Sequence, residues 1–197
     1  MKATLVFRNL LMAVLFLPLI VAGEKSADEK TVVLYSFDDR DRQEWIGSNH
    51  FEGFMISSDW SSMGRYSLKG ILAQQSPADW EPELCKFFRP DGESFSRYNA
   101  ISVDVRHQSG NCDPGNGLQA RIYLTDTYDN RIGQSQPVRI SDQKSVVTMY
   151  LPDDLEEGID PSRLNAVGRL SVQFLPCASS TGNIDVYIDN VTAQLAD

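Results

Sequence analysis

The stretch Leu118-Gln119-Ala120-Arg121-Ile122-Tyr123-Leu124-Thr125 alternates apolar and polar side chains at every position. A β-strand points successive side chains to opposite faces, so this pattern predicts a strand with one buried and one polar face. Strict alternation recurs in Ile101-Ser102-Val103-Asp104-Val105-Arg106, and the strand signal over 170–175 alternates from Leu170 to Phe174. We therefore expect a core formed by Ile101, Val103, Val105, Leu118, Ala120, Ile122, Leu124, Leu170, Val172 and Phe174.

Further strand signals surround these three. Segments rich in β-branched and aromatic residues predict strands over 31–37, 66–71, 146–151 and 184–191, with 54–57 as an eighth. Helical signals are limited to one short turn over 152–158 and another over 160–164, where Asp160 is placed to cap and Pro161 to begin the turn. Many strands without a long helix predict an all-β domain over 31–195, a two-sheet antiparallel β-sandwich of the jelly-roll type.

The first residues have the pattern of a secretory signal. Lys2 and Arg8 precede an apolar run that extends to Ala22 and is followed by Gly23 and the charged residues Glu24 and Lys25. This predicts a cleavable signal peptide over 1–23 and a flexible leader over 24–30. The alternative is an uncleaved membrane anchor, although the run is short for a span. We expect a protein exported to the periplasm or beyond, with no membrane span after signal cleavage.

Charge and cysteine content narrow the class of ligand. The net charge of −9 argues against binding to nucleic acid or to anionic membranes, and it is compatible with neutral ligands and cations. Three cysteines allow at most one disulfide within the chain. The turn-like surroundings of Cys112 and Cys177 favour that pair, although connectivity is not encoded in the spacing.

Three passages carry a family resemblance in their order. They are Tyr35-Ser36-Phe37-Asp38-Asp39 followed by Trp45, then Ser62-Met63-Gly64-Arg65-Tyr66-Ser67-Leu68-Lys69, and finally Val186-Tyr187-Ile188-Asp189-Asn190-Val191. In this order they resemble the β-jelly-roll carbohydrate-binding modules of the galactose-binding-domain-like superfamily. The resemblance places Trp45 in the core.

The same resemblance implies a structural Ca²⁺. The matching carboxylates are Asp38 and Asp189, with main-chain oxygen from Arg65 or Lys69, and oxygen ligands of this kind suit calcium. The alternative is that Asp38 begins a turn and Asp189 ends a strand, without a metal.

Two regions are candidates for binding a saccharide. Arg and Gln offer forked donors to hydroxyl pairs and Tyr offers a flat apolar ring, so a polar sheet face would suit a sugar. The alternatives are an ordinary solvated sheet face and loop tryptophans that plug the end of the sandwich. The sheet-face candidates are Asp104, Arg106, Gln119, Arg121, Tyr123 and Gln173, and the loop aromatics are Trp60, Trp80 and Tyr128.

Motifs for catalysis are absent from the sequence. His50 and His107 are the two histidines, both expected at the surface, and neither belongs to a metal or nucleophile motif. We therefore expect a non-catalytic protein that binds an oligo- or polysaccharide. A secreted structural or protein-interaction sandwich with a protein partner is the second interpretation. A small polysaccharide hydrolase or lyase is the third.

Overall fold

The computed structural model describes residues 30–38, 45–48, 51–72, 81–88, 90–108, 117–175 and 182–196. The predicted signal peptide, most of the leader, His50, Trp80, Cys112 and Cys177 lie outside these ranges. The strands are β1 (Thr31–Tyr35), β2 (Trp45–Gly47), β3 (Phe51–Ser57), β4 (Ser67–Leu72), β5 (Glu83–Phe87), β6 (Tyr98–His107), β7 (Gln119–Asp126), β8 (Arg131–Gln134), β9 (Val138–Arg139), β10 (Ser145–Tyr150), β11 (Val167–Leu175) and β12 (Ile184–Leu195).

These strands form two antiparallel sheets that pack face to face as a sandwich. Sheet A has the order β10-β6-β12-β4-β3, with β1 also paired to β12. Sheet B has the order β2-β5-β11-β7-β8, with β9 also paired to β7. The all-β sandwich predicted from alternation is confirmed.

The core lies between the two sheets. All ten residues expected there are at most 2% exposed. Trp45 is also buried, with its ring edge-on to Tyr35 and Phe37 at centroid distances of 5.6 and 5.5 Å. The core placement of Trp45 is confirmed.

His107 is buried, so its expected surface position is wrong. Strand β6 runs through His107, which continues the inward series of Ile101, Val103 and Val105 and is 8% exposed. The short turn expected after Asp160 is confirmed as a 3₁₀ turn over Pro161–Ala166, and the Asp160 side chain accepts the Ser162 N–H.

Strand β12 organises one end of sheet A. Along one edge it pairs first with β4, through Ile188, and then with β1, from Val191 onward. Asp189 and Asn190 lie at this change of partner, and Asn190 has a φ of 45°. The segment after β1 and the loop before β4 therefore meet at Asp189.

Candidate functional site

The outward side of sheet B, here called the sheet B face, carries mostly polar side chains. Its three central strands, β5, β11 and β7, are in register, with Ser171 opposite both Cys85 and Tyr123. Because side chains alternate along each strand, the residues that share this face are Glu83, Cys85 and Phe87 from β5, Arg169, Ser171 and Gln173 from β11, and Gln119, Arg121, Tyr123 and Thr125 from β7.

Arg121 and Gln173, both predicted ligand residues, lie side by side on this face. The Arg121 Nε atom donates to Gln173 Oε1 at 2.6 Å, and Nη2 donates to Glu81 Oε2 at 3.0 Å. The predicted residue Gln119 follows on the same side of β7 and is exposed. The bonds to Gln173 and Glu81 hold the Arg121 guanidinium in one orientation, with an amide oxygen and a carboxylate oxygen beside it.

Tyr123 lies at the centre of the face and is 4% exposed. Its hydroxyl donates to Glu83, and the guanidiniums of Arg131 and Arg169 lie 5.1 and 5.4 Å from the ring centroid. Burial raises the pKa of Tyr123 above its usual value, and the bond to Glu83 adds to this shift. The ring is therefore not open for stacking, in contrast to the flat surface expected from the sequence.

Glu83 and Arg169 form a second bonded group on this face, together with Tyr123. We call the two groups the polar lattice; its members are Arg121, Gln173, Glu81, Tyr123, Glu83 and Arg169. Arg169 Nη1 lies 3.1 Å from Glu83 Oε1, and their side chains are 14% and 15% exposed. Sequence reasoning missed both residues. Extending the alternation of β11 back from Ser171 would have placed Arg169 on this face.

Asp104 and Arg106 lie on the opposite side of the molecule, so the expectation of a single platform of six residues is wrong. Both belong to β6 in sheet A, whereas Gln119, Arg121, Tyr123 and Gln173 belong to sheet B. Alternation fixes which side chains point outward on each strand, but it does not assign a strand to a sheet. Asp104 is 4% exposed and its Oδ2 atom accepts from Asn190 Nδ2 at 3.2 Å.

Trp60 also lies on the sheet A side. Its half-buried ring is edge-on to Tyr187 at 6.0 Å. Lys69 covers the same tyrosine, with Nζ 5.5 Å from the ring centroid, and is paired with Asp185 at 2.7 Å. This cluster is separate from the polar lattice.

Asp38 and Asp189 both hold the loop that precedes β4. Asp38 Oδ1 accepts the Arg65 N–H at 2.7 Å, and Asp189 Oδ2 accepts the Ser62 and Met63 N–H groups at 2.8 and 3.0 Å. Asp189 is fully buried, and burial raises the pKa of its carboxyl above the usual value.

The surroundings of Asp189 fit a cation. Its Oδ1 atom is buried and has no hydrogen-bond partner among the described residues. Asp104, a second buried carboxylate, is directly opposite on β6, and its Oδ2 atom is already paired with Lys144 Nζ at 3.4 Å. The described residues contain no cluster of three acidic, histidine or cysteine side chains, so a metal here would take main-chain oxygens as further ligands.

At one end of the sheet B face, a cleft of about 110 Å³ opens beside the β7–β8 turn. We call it the end cleft. Asp126 anchors the turn, since its Oδ1 atom accepts the N–H groups of Tyr128 and Asn130 at 2.8 and 2.9 Å and Oδ2 accepts from Arg163. Tyr128, a predicted loop aromatic, is 83% exposed.

Comparisons with known proteins agree with this architecture. A family model described as "Mannanase, galactose-binding domain-like" matches residues 35–190. None of the curated proteins matches the chain. In the described part of the chain, no helix combines the length and apolar character needed to cross a bilayer.

Three solved structures illustrate the fold. A carbohydrate-binding module described as specific for non-crystalline cellulose has a TM-score of 0.59 and 14% identity, over 84% of this chain and 94% of the module. A carbohydrate-binding module of the β-sandwich superfamily has a TM-score of 0.58 and 14% identity, over 81% of this chain and 60% of the other. An exo-β-agarase has a TM-score of 0.59 and 13% identity, over 84% of this chain but only 25% of the enzyme. At these identities the likeness concerns the fold.

Proposed function

Because the chain belongs to the galactose-binding-domain-like mannanase family, we propose that it is an exported, non-catalytic protein that binds a neutral oligo- or polysaccharide along the sheet B face. The observation that carries this proposal is the polar lattice, in which arginine donors alternate with carboxylate and amide acceptors.

The lattice suits sugar hydroxyls for a chemical reason. A hydroxyl both donates and accepts a hydrogen bond, so a pair of hydroxyls is best met by a donor fork next to an acceptor. Arg121 beside Gln173 and Glu81 offers this combination, and Arg169 beside Glu83 repeats it on the same face.

Charge pairing favours a neutral ligand. Arg121 is paired with Glu81 at 3.0 Å, and Arg169 is paired with both Glu83 and Asp129, at 3.1 and 2.7 Å. An anionic polymer would have to compete with these carboxylates for the guanidiniums. We therefore expect binding that changes little between low and moderate salt.

The same pairing supports binding rather than hydrolysis. A glycosidase needs one carboxyl group with a raised pKa and a second carboxylate across the scissile bond. Glu81 and Glu83 are instead held by arginines, which suits fixed hydrogen-bond acceptors. The cellulose-specific module of similar fold is itself a binding module.

Titration calorimetry tests the proposal with soluble mannan, amorphous cellulose, galactan and agaro-oligosaccharides as probes. We expect saturable binding to at least one of them. Arg121→Ala should weaken that binding about tenfold or more, because it removes a charged donor and leaves two acceptors without it. Arg65→Ala, an exposed arginine outside the sheet B face, is the control. Absence of binding to every neutral glycan would favour the structural or protein-interaction alternative.

We further propose that Asp38 and Asp189 hold a structural Ca²⁺. The ion would cross-link the segment after β1, the loop before β4 and strand β12, and it would satisfy Asp189 Oδ1. Thermal unfolding should then shift upward when Ca²⁺ replaces a chelator, since a ligand that binds only the folded state stabilises it. Asp189→Asn should abolish the shift. A shift of equal size in this variant would place the ion elsewhere.

Export is tested at the N-terminus. Mass spectrometry of the protein recovered from outside the cytoplasm should give a chain that begins at Glu24.

A further inference from the structure

The end cleft has the features of a binding site. Its walls come from three places: the end of β5 and the residue after it (Phe87 and Phe88), the start of β11 (Gly168 and Arg169), and the end of β7 with the following turn (Thr125 and Asp129). These elements meet at one end of the sheet B face, so the cleft continues the polar lattice. We propose that the end cleft is a sugar subsite that holds the edge of one ring of the ligand, an inference that rests on the proposed function.

Two buried polar atoms in the cleft wall point to a ligand. Thr125 is 2% exposed, and its Oγ1 atom has no hydrogen-bond partner in the described part of the chain. The same holds for Arg169 Nε, which is also buried. Buried donors and acceptors in folded proteins are nearly always paired. A hydroxyl group of a bound sugar would satisfy each of them.

The charged group of the cleft is fixed before a ligand arrives. Glu83 and Asp129 hold the two terminal nitrogens of Arg169, and its guanidinium lies 5.5 Å from the Phe87 ring centroid. A side chain held in this way loses little rotational freedom on binding. Because two carboxylates already neutralise Arg169, a neutral hydroxyl pair is a better ligand than a uronate or a sulfate.

The β7–β8 turn is held in a fixed conformation by hydrogen bonds and by close packing against β11. Asp129 has a φ of 65°, in the left-handed region that residues other than glycine seldom adopt. Asp126 holds the turn through its bonds to Tyr128 and Asn130. Gly168 permits its close approach to β11, since a Cβ atom there would lie 2.4 Å from the Asp126 carbonyl oxygen.

Two exposed aromatic rings accompany this turn. Phe87 is 44% exposed, and Tyr128, between the cleft residues Thr127 and Asp129, is 83% exposed. Exposed aromatic faces bury the apolar face of a sugar ring while hydroxyls bond at its edge. The cleft volume of about 110 Å³ equals that of about four water molecules. It encloses one edge of a ring, and the rest of the ligand extends along the sheet B face.

Titration calorimetry with mannohexaose, cellohexaose and agarohexaose tests this subsite. Phe87→Ala and Tyr128→Ala should each weaken binding of the hexasaccharide that binds wild-type protein by about fivefold to tenfold. Thr125→Val removes only the hydroxyl group and should also weaken binding. Tyr150→Ala is the matched control, because Tyr150 is 57% exposed but lies on the edge strand of sheet A. Circular dichroism checks that each variant is folded.

The possible outcomes separate the two proposals. If wild-type protein binds, Arg121→Ala weakens binding and the three cleft variants bind like wild type, the subsite is wrong while the proposed function stands. If no hexasaccharide binds to wild-type protein, both proposals fail. Equal losses in Tyr150→Ala and Tyr128→Ala would also overturn the subsite, since the effect would not be specific to the cleft.

Discussion

Asp126→Asn tests how the β7–β8 turn is held. The carboxylate is 5% exposed and accepts from the main-chain N–H groups of Tyr128 and Asn130, from Asn130 Nδ2 and from Arg163. The asparagine side chain has no charge, and its NH₂ group would face N–H donors that it cannot accept from. Hydrogen bonds to a charged group are worth about 1 kcal/mol more than neutral ones, and the half-exposed Arg163 adds less than about 1 kcal/mol. We expect a loss of about 2–3 kcal/mol in unfolding free energy at pH 7.

The pH dependence of this loss checks its electrostatic origin. Although burial opposes ionisation, the hydrogen bonds from Asn130 and Tyr128 and the charge of Arg163 lower the pKa of Asp126 below its usual value of 3.8. A carboxyl with a lowered folded-state pKa stabilises the protein above pH 3.8 and loses this effect as the pH falls through the folded-state value. The difference between wild type and variant should therefore be constant from pH 7 to about pH 5 and narrow below 3.8.

The assay is the free energy of unfolding in urea, measured across this pH range. The control is Asp142→Asn, because Asp142 is exposed. In thermal unfolding, the loss corresponds to a midpoint lower by about 4–12 °C for a domain of this size. A loss below about 0.5 kcal/mol at pH 7, or one that does not narrow in acid, would refute the argument that this carboxylate organises the turn.

Two further predictions concern single residues. Burial raises the pKa of the Cys85 thiol to about 12, so iodoacetamide at pH 8 should leave Cys85 unmodified in the native protein and modify it in guanidinium, as peptide mass spectrometry will show. Gly64→Ala should destabilise the protein by at least about 1 kcal/mol more than Gly158→Ala in urea unfolding. Both glycines have positive φ, but only at Gly64 would a Cβ atom collide with Asp38. Equal losses would mean that backbone strain alone sets the cost.

Side-chain alternation was sufficient to identify the core strands. Strands β6, β7 and β11 have an apolar residue at each inward position of the predicted segments, so burial and period agree. Strand β5 was missed for a physical reason. Its sequence Glu83-Leu84-Cys85-Lys86-Phe87 has no β-branched residue, and the inward position beside Leu84 is occupied by Lys86, which is 8% exposed.

The missed strand also carries much of the candidate site. Glu83 and Phe87 point outward from β5, where they meet Arg169 and Tyr123 from two other strands. Tyr123 is 40 positions and Arg169 is 86 positions from Glu83 in sequence. Such contacts depend on strand order and register, which a single sequence does not contain. The sequence identified Arg121 and Gln173 because both lie within segments in which apolar and polar residues alternate.

The composition of the sheet B face is itself an argument for a ligand. A sandwich needs only a wettable outer surface, and exposed lysines and threonines would provide one. Instead, the side chains of Arg169 and Glu83 are mostly buried, with 14% and 15% of their surface exposed. A buried ion pair gains little net stability, because desolvation offsets most of the attraction between the charges. Fixed orientation of donors and acceptors is what such a pair provides, and a saccharide that needs its hydroxyls matched would make use of it.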